Sequence, residues 1–190
     1  KDPARLVERL DAMGEADATL SGLIADYLMG KHDLGGDEEK RYRRELYELL
    51  LETRREFTKE LESLLKSRRW RWFGLSELSA PKGAPAGKRA ADHAWLIVQH
   101  ADEDPKFQRR ALAAMRAMPP GEVDPKNLAY LEDRVAVKDG APQLYGTQVD
   151  CAPEGPVPQG PALDLAAVDA RRRALGLAPW AQYARANCGR

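Results

Sequence analysis

The stretch Ala90-Ala-Asp-His-Ala-Trp-Leu-Ile-Val-Gln-His-Ala101 lies near the middle of the 190-residue chain and decides its fold. It contains neither glycine nor proline, and apolar residues surround its few polar ones on nearly every side of a helix. A helix that is apolar all round is typically buried in a core rather than half exposed on a surface. The stretch therefore predicts a central buried helix that the rest of the chain covers.

The first 69 residues predict two helices that pack as a hairpin. Apolar residues recur at helical spacing from Leu6 to Leu28, and again from Tyr42 to Leu65. Gly35-Gly36 lies between the two runs and is typical of a turn. We therefore expect an αα-hairpin over residues 1–69. Residues 70–190 are expected to form a domain with the histidine-bearing helix and one β-hairpin, in one folding unit with the first part.

One β element is expected, and it lies in the second half of the chain. Side chains alternate in Val135 to Lys138 and in Gln143 to Val149, on either side of Asp139-Gly140. Alternation around Asp-Gly is typical of a β-hairpin with a tight turn. The predicted fold class is thus mainly α, with an N-terminal αα-hairpin packed on a helical domain that carries one β-hairpin.

The composition excludes several classes of protein. Thirty basic and thirty acidic residues cancel, so the chain has no strong electrostatic signal for nucleic acid. The longest uncharged apolar run, Ala94 to Val98, is far too short for a membrane span. Cys151 and Cys188 are the only cysteines, and they predict either one disulfide or two unrelated thiols. The compartment stays open between the cytoplasm and an exported, periplasmic location.

Two histidines of the central helix are the first candidates for chemistry. His93 and His100 are seven residues apart, which places them on one helix face about 10.5 Å apart along the axis. Metal chelation by two histidines of one helix prefers a spacing of four, so we expect an acid and a base acting on opposite ends of a substrate. Asp102 or Asp104 is expected to orient His100.

Two other interpretations of these residues remain open. Each histidine is also typical of a core residue that is hydrogen bonded inside a buried network. A metal site would use His100 and Asp102 or Asp104, with His32 as an optional further ligand, and these residues would have to meet in the fold. No metal or cofactor is expected from the sequence.

The substrate side of the expected site is polar. It comprises Gln99 of the helix and, from the expected strand, Gln143, Tyr145, Thr147 and Gln148. Gly146 lies inside that strand and indicates a bulge or a close approach of a ligand or helix. We expect the strand to pack against the histidine helix and enclose a pocket; the alternative is a solvent-facing polar strand.

Two of these segments resemble an uncharacterised bacterial domain family. Trp95-Leu-Ile-Val-Gln-His-Ala-Asp102 and Gln143-Leu-Tyr-Gly-Thr-Gln148 carry the resemblance, which extends over about residues 70–186. The family is known only as a domain of unknown function, so the resemblance implies one domain and no activity. It draws attention to His100, Asp102, Tyr145 and Gln148.

The sequence supports two functions of different classes. One is a small enzyme that performs metal-independent hydrolysis or group transfer on an unknown small molecule by acid–base chemistry at His93 and His100, with Asp102. The other is a non-catalytic helical module that binds a protein, in which the same residues form a buried structural network. Whether the protein is an enzyme is left open by the sequence.

Overall fold

The structure is a computed structural model that describes residues 2–28 and 35–189. Within these ranges the chain forms eight α-helices and one two-stranded antiparallel sheet, which confirms the predicted mainly α class. The elements are α1 (Pro3–Leu28), α2 (Gly36–Ser67), α3 (Leu75–Ser79), α4 (Ala84–Gln99), α5 (Pro105–Arg116), α6 (Pro125–Lys138), β1 (Val149–Ala152), β2 (Gly155–Pro158), α7 (Leu165–Ala174) and α8 (Trp180–Cys188). None of the described helices is long and apolar enough to cross a membrane.

The chain divides into two compact units, residues 1–101 and 102–190. The division follows Ala101, whereas the sequence analysis placed its boundary after residue 69. The helix that carries His93 and His100 therefore belongs to the same unit as the N-terminal helices. Asp102 and all later residues belong to the other unit.

In the first unit, α1 packs against both α2 and α4. Its buried side chains include Val7, Leu10 and Met13, which follow one another at helical spacing and supply the apolar stripe that such packing needs. The predicted αα-hairpin of α1 and α2 is confirmed. The predicted end of its first helix, near Gly30, lies outside the described residues.

The aromatic cluster after α2 belongs to the core of the first unit. Arg69 and Trp70 adopt positive φ angles of 55° and 62°, so the chain turns sharply where α2 ends. The turn places Trp72 and Phe73 in the interior, where both are fully buried. These two side chains therefore anchor the end of α2 by hydrophobic burial.

The predicted position of the β-hairpin was wrong. Val135 to Lys138 is the last turn of α6, and residues 143–148 are irregular. Val135 follows the buried Leu131 by four residues, so it continues a helical stripe rather than beginning a strand. Asp139 caps the helix and Gly140 follows it with φ 69°, which is the usual way to end a helix.

The observed hairpin lies further along the chain. Strands β1 and β2 pair antiparallel, with Val149 opposite Pro158 and Ala152 opposite Gly155. Cys151 of β1 forms a disulfide with Cys188 of α8, their Cα atoms being 5.4 Å apart. The hairpin is thereby joined covalently to the last helix of the second unit, and the disulfide alternative of the sequence analysis is the one observed.

Candidate functional site

His100 lies directly after the last residue of α4 and faces a buried carboxylate of α1. Its Nδ1 is 2.6 Å from Oδ2 of Asp17. The side chain of Asp17 is 2% exposed, whereas that of His100 is 24% exposed. The imidazole thus connects an interior carboxylate to the surface of the first unit.

Arg54 of α2 completes this cluster. Its Nε donates to Oδ1 of Asp17 at 2.8 Å, and its Nη2 donates to Oγ of Ser21 at 3.0 Å. The same Nη2 is 3.1 Å from His100 Nδ1, but guanidinium groups only donate hydrogen bonds. Since the shorter contact joins Nδ1 to a carboxylate, which only accepts, Nδ1 carries the proton and donates it to Asp17.

The charge of Asp17 is maintained by its neighbours. Burial alone raises the pKa of this carboxyl, but hydrogen bonds and charge from His100 and Arg54 outweigh burial and lower the pKa below its usual range. The buried carboxylate is therefore ionised at neutral pH. An ionised partner favours the Nδ1-protonated tautomer of the imidazole.

The cluster leaves one nitrogen of His100 available. With the proton on Nδ1, the lone pair of a neutral ring is on Nε2, and no residue in the described ranges forms a hydrogen bond with Nε2. A carboxylate that fixes the tautomer while the second nitrogen stays accessible is the arrangement of a general base. Asp17 thus fixes the orientation of the ring, and Arg54 holds Asp17.

His93 has a different environment on the same helix. Its Nδ1 is 3.1 Å from Oδ1 of Asp11, whose Oδ2 accepts two hydrogen bonds from Arg89. A Cβ atom added at Gly14 of α1 would overlap the His93 ring, so the imidazole fills the space that this glycine leaves. The two histidines therefore pair with separate aspartates and do not share a partner.

The aspartates expected to orient His100 have other partners in the second unit. Asp102 accepts hydrogen bonds from Nη1 of Arg134 at 2.8 and 2.9 Å. Asp104 caps α5 by accepting from the backbone N–H of Phe107 at 2.9 Å. His100 is instead oriented by Asp17, from an element that the sequence analysis did not connect with it. Gln99, the remaining predicted residue of α4, is buried.

No cluster that fits a metal ion is found among the described residues. Groups of three or more histidine, cysteine, aspartate or glutamate side chains in metal-binding proximity are absent from residues 2–28 and 35–189. His32, the optional further ligand of the metal interpretation, lies outside these ranges.

In the second unit, the segment 143–148 is organised around the buried Asp133 of α6. Oδ1 accepts from the backbone N–H groups of Leu144 and Tyr145, at 2.7 and 3.1 Å. Oδ2 accepts from Thr147 N at 2.8 Å. The irregular segment wraps the carboxylate because three of its amides need an acceptor and no strand partner supplies one.

The predicted binding residues of this segment make internal contacts. Gln143 donates to the carbonyls of Gln148 and Gln159 and accepts from Gln148 N. Gln148 in turn donates to Oγ1 of Thr147 at 3.0 Å. These three side chains are buried, whereas Tyr145 is half-buried. The expectation that they bind a substrate stays a prediction.

The helix α8 closes the segment from another side. Trp180 Nε1 donates to the carbonyl of Gly146, and Tyr183 donates its hydroxyl to the carbonyl of Thr147. Burial, followed by a hydrogen bond with Tyr130, raises the pKa of Tyr183, which keeps the hydroxyl protonated as this bond requires. Gly146 has φ 64° and a Cβ there would overlap Trp180. Of the alternatives expected for this glycine, the structure therefore shows the close approach of a helix, α8.

Sequence reasoning missed the aspartates that bind these groups. Asp17 follows Leu10 by seven residues and so lies on the buried stripe of α1. A charged residue at such a position indicates a buried ion pair, because charged side chains are rarely buried without a partner. Asp133 follows the buried Ala129 by four residues and so carries the same signal. Arg54 lies on a helix rich in charged residues, where nothing distinguishes it.

A comparison with protein families identifies the second part of the chain. The model of a family of unknown function, DUF6624, matches residues 76–188. The chain belongs to this family. Neither the curated proteins nor the solved structures contain a significant match. The DUF6624 match includes α4 with His100, whereas Asp17 and Arg54 precede the matched residues.

Proposed function

We propose that this DUF6624 protein is an enzyme in which His100 transfers protons during hydrolysis or group transfer. The observation that carries the proposal is the contact between His100 Nδ1 and the buried, ionised carboxylate of Asp17, which leaves Nε2 without a partner in the described part of the chain. A half-buried histidine held in this way needs no rearrangement before it accepts a proton.

The proposed reaction uses both nitrogens of the His100 ring. His100 Nε2 takes a proton from water or from a substrate hydroxyl as the oxygen attacks an electrophilic carbon or phosphorus atom. Asp17 then stabilises the imidazolium through the Nδ1–H bond, and Nε2 returns the proton to the leaving group. Such proton transfer accelerates reactions by about 10²- to 10⁴-fold. We assign it to His100 alone, since the side chain of its partner Asp17 is 2% exposed, whereas that of Asp11, the partner of His93, is 13% exposed.

A panel of chromogenic esters, phosphomonoesters and glycosides tests the proposal. With a substrate that the wild type turns over, His100→Gln is expected to lower kcat by about 100-fold or more, and Asp17→Asn by a smaller factor. His93→Gln is the matched control, because it removes the other histidine of the same helix, and its kcat should stay near wild type. Equal turnover by the wild type and His100→Gln would contradict the proposal.

A second readout needs no substrate. Diethyl pyrocarbonate acylates an unprotonated imidazole nitrogen, and mass spectrometry locates the modified residue. We expect His100 to react faster than His93 and the His100 rate to fall in Asp17→Asn, since that variant no longer fixes the tautomer. A slow reaction of His100 whose rate is unchanged in Asp17→Asn would contradict the proposal that Asp17 keeps Nε2 of His100 unprotonated.

A non-catalytic module is the second candidate, and the second unit favours it. The polar side chains of Gln143 and Asp133 are buried and hydrogen bonded to backbone groups. Such a saturated network stabilises a fold without offering free groups to a substrate. The same two experiments separate the candidates, because a module requires neither turnover nor a reactive His100.

A further inference from the structure

The second unit contains a polar cleft that the proposed function does not use. Its volume is about 290 Å³, at the lower end of the range for small-molecule sites. We call it the Arg134 cleft, and it is lined by Asp102, Arg134, Val137, Lys138, Gln148 and Gln159. Five of these six residues are charged or carry an amide, so the cleft suits a small polar ligand.

Arg134 presents an unused edge of its guanidinium group. Nη1 donates to both oxygens of Asp102, at 2.8 and 2.9 Å. Nε is buried and has no acceptor among the described residues, and Nη2 makes no hydrogen bond there either. Nε–H and one Nη2–H point the same way and together match the two oxygens of a carboxylate. A buried donor of this kind is usually satisfied by water, an ion or a ligand.

The charges of the cleft favour one negative charge. Arg134 and Lys138 contribute two positive charges and Asp102 one negative charge. Lys138 Nζ is 3.8 Å from Asp102 Oδ1, beyond hydrogen-bond distance, so its donors are not used by that carboxylate. A doubly charged phosphate would exceed the net charge of the site and would meet Asp102 at close range.

The amide side chains of the cleft define a second requirement for its ligand. Gln148 is 8% exposed and uses Nε2 on Thr147, while its Oε1 accepts no hydrogen bond within the described ranges. Gln159 is held by Asp150, which accepts from its Nε2 at 2.7 Å. Gln159 Oε1 likewise accepts no hydrogen bond within the described ranges, but Gln148 is the more buried of the two residues, so we assign its oxygen as the acceptor for a ligand hydroxyl or N–H group.

We propose that the Arg134 cleft binds a small organic monocarboxylate that also carries a hydrogen-bond donor. Its carboxylate accepts from the Nε–Nη2 edge of Arg134 and from Lys138, and its hydroxyl or N–H donates to Gln148 Oε1. The proposal is independent of proton transfer by His100, so either one can fail alone.

The direct test is an NMR titration of the arginine Nε–Hε resonances with lactate, 3-hydroxybutyrate, lactamide, propionate and inorganic phosphate. The hydroxy acids are expected to shift the Arg134 resonance, identified by its loss in Arg134→Lys, and to bind at millimolar or lower concentration. The uncharged lactamide should bind at least tenfold more weakly than lactate. Arg134→Lys should lower lactate affinity at least tenfold, whereas the control Arg109→Lys, at an exposed arginine paired with Asp139, should not.

A second variant tests the donor requirement and does not depend on Arg134. Gln148→Met should weaken binding of lactate and leave that of propionate unchanged, since propionate has no hydroxyl group. The proposal is overturned if no acid shifts the Arg134 resonance, if phosphate binds as well as lactate, or if lactate and lactamide bind equally. Should Arg134→Lys not fold, the resonance stays unassigned, and the affinities of the wild type for lactate, lactamide and phosphate, together with those of Gln148→Met for lactate and propionate, still decide.

Discussion

Asp17 and Asp133 are both aspartates with almost no exposed surface, at 1% and 0%, but they are stabilised by different kinds of donors. Asp17 is held by side chains, the imidazole of His100 and the guanidinium of Arg54. Asp133 is held by three backbone N–H groups of one irregular segment. In both cases hydrogen bonds must compensate the free-energy cost of burying the charge. The type of donor then determines whether the carboxylate can also influence a proton transfer.

Backbone amides do not exchange protons during a reaction, so a carboxylate that they surround can only organise the chain. An imidazole does exchange a proton, and a carboxylate bound to it influences where that proton is located. The comparison therefore indicates an organising role for Asp133 in the second unit, whereas in the proposed function Asp17 positions the ring of His100. The effects expected below test the two carboxylates separately.

The largest effect is expected for Asp133→Ala. The change leaves three amides of residues 144–147 without their acceptor, at about 1–3 kcal/mol for each one that stays buried. We expect the free energy of unfolding to fall by about 4 kcal/mol, measured by urea denaturation followed by circular dichroism. Asp139→Ala is the control, since its ion pair with Arg109 is exposed to solvent and should contribute little to stability. A loss below that of the control would refute an organising role.

Reduction of the disulfide should have the next largest effect. Cys151 and Cys188 are 37 residues apart, and a crosslink over that separation stabilises by roughly 3–4 kcal/mol in the chain-entropy model. Reduction differs from Asp133→Ala because the amides of segment 143–148 keep the Asp133 carboxylate as their acceptor. Only the contact between this segment and α8 is expected to loosen. Urea denaturation with and without reductant measures the difference. Two free thiols in unreduced, denatured protein would show that the crosslink is absent.

Asp17→Asn is expected to lower the free energy of unfolding by about 2 kcal/mol at pH 7, because it removes a charged acceptor from Arg54 and His100. The folded-state pKa of Asp17 lies below its unfolded value, so its ionised form stabilises the fold above about pH 4. That stabilisation is lost as the pH falls through the lowered pKa. The difference between wild type and variant should therefore narrow below about pH 4, and a difference independent of pH would contradict the assignment.

The smallest effect is expected for Gly14→Ala, which should disturb His93 but not His100. Gly14→Ala places a methyl group on the His93 ring and should cost about 1–2 kcal/mol, because the ring or α1 must move. Gly22→Ala is the matched control on the same helix, where a Cβ meets nothing within 4 Å, and it should stabilise by roughly 0.5–1 kcal/mol. The chemical shifts of His100 should change less than those of His93 in Gly14→Ala. Equal changes would show that the two histidines act as one group.

The helices were predictable because apolar residues recur at helical spacing, as in α1 with Leu10 and Met13. The position of the hairpin was not, since Asp-Gly ends helices as well as forming tight turns and Val135 continues the stripe of Leu131. Both histidines could be identified as candidates from residue type and spacing. The partner of His100 could not, because Asp17 is 83 residues away and only the packing of α1 on α4 brings them together.

The tautomer of His100 tests the central claim most directly. Long-range ¹⁵N–¹H NMR on protein labelled with ¹⁵N-histidine distinguishes protonated from unprotonated ring nitrogens. At a pH where the ring is neutral, the wild type is predicted to carry the proton on Nδ1 and a lone pair on Nε2, and Asp17→Asn to lose this preference. A proton on Nε2 in the wild type, or the same tautomer in both proteins, would contradict the assignment of His100 as a base positioned by Asp17.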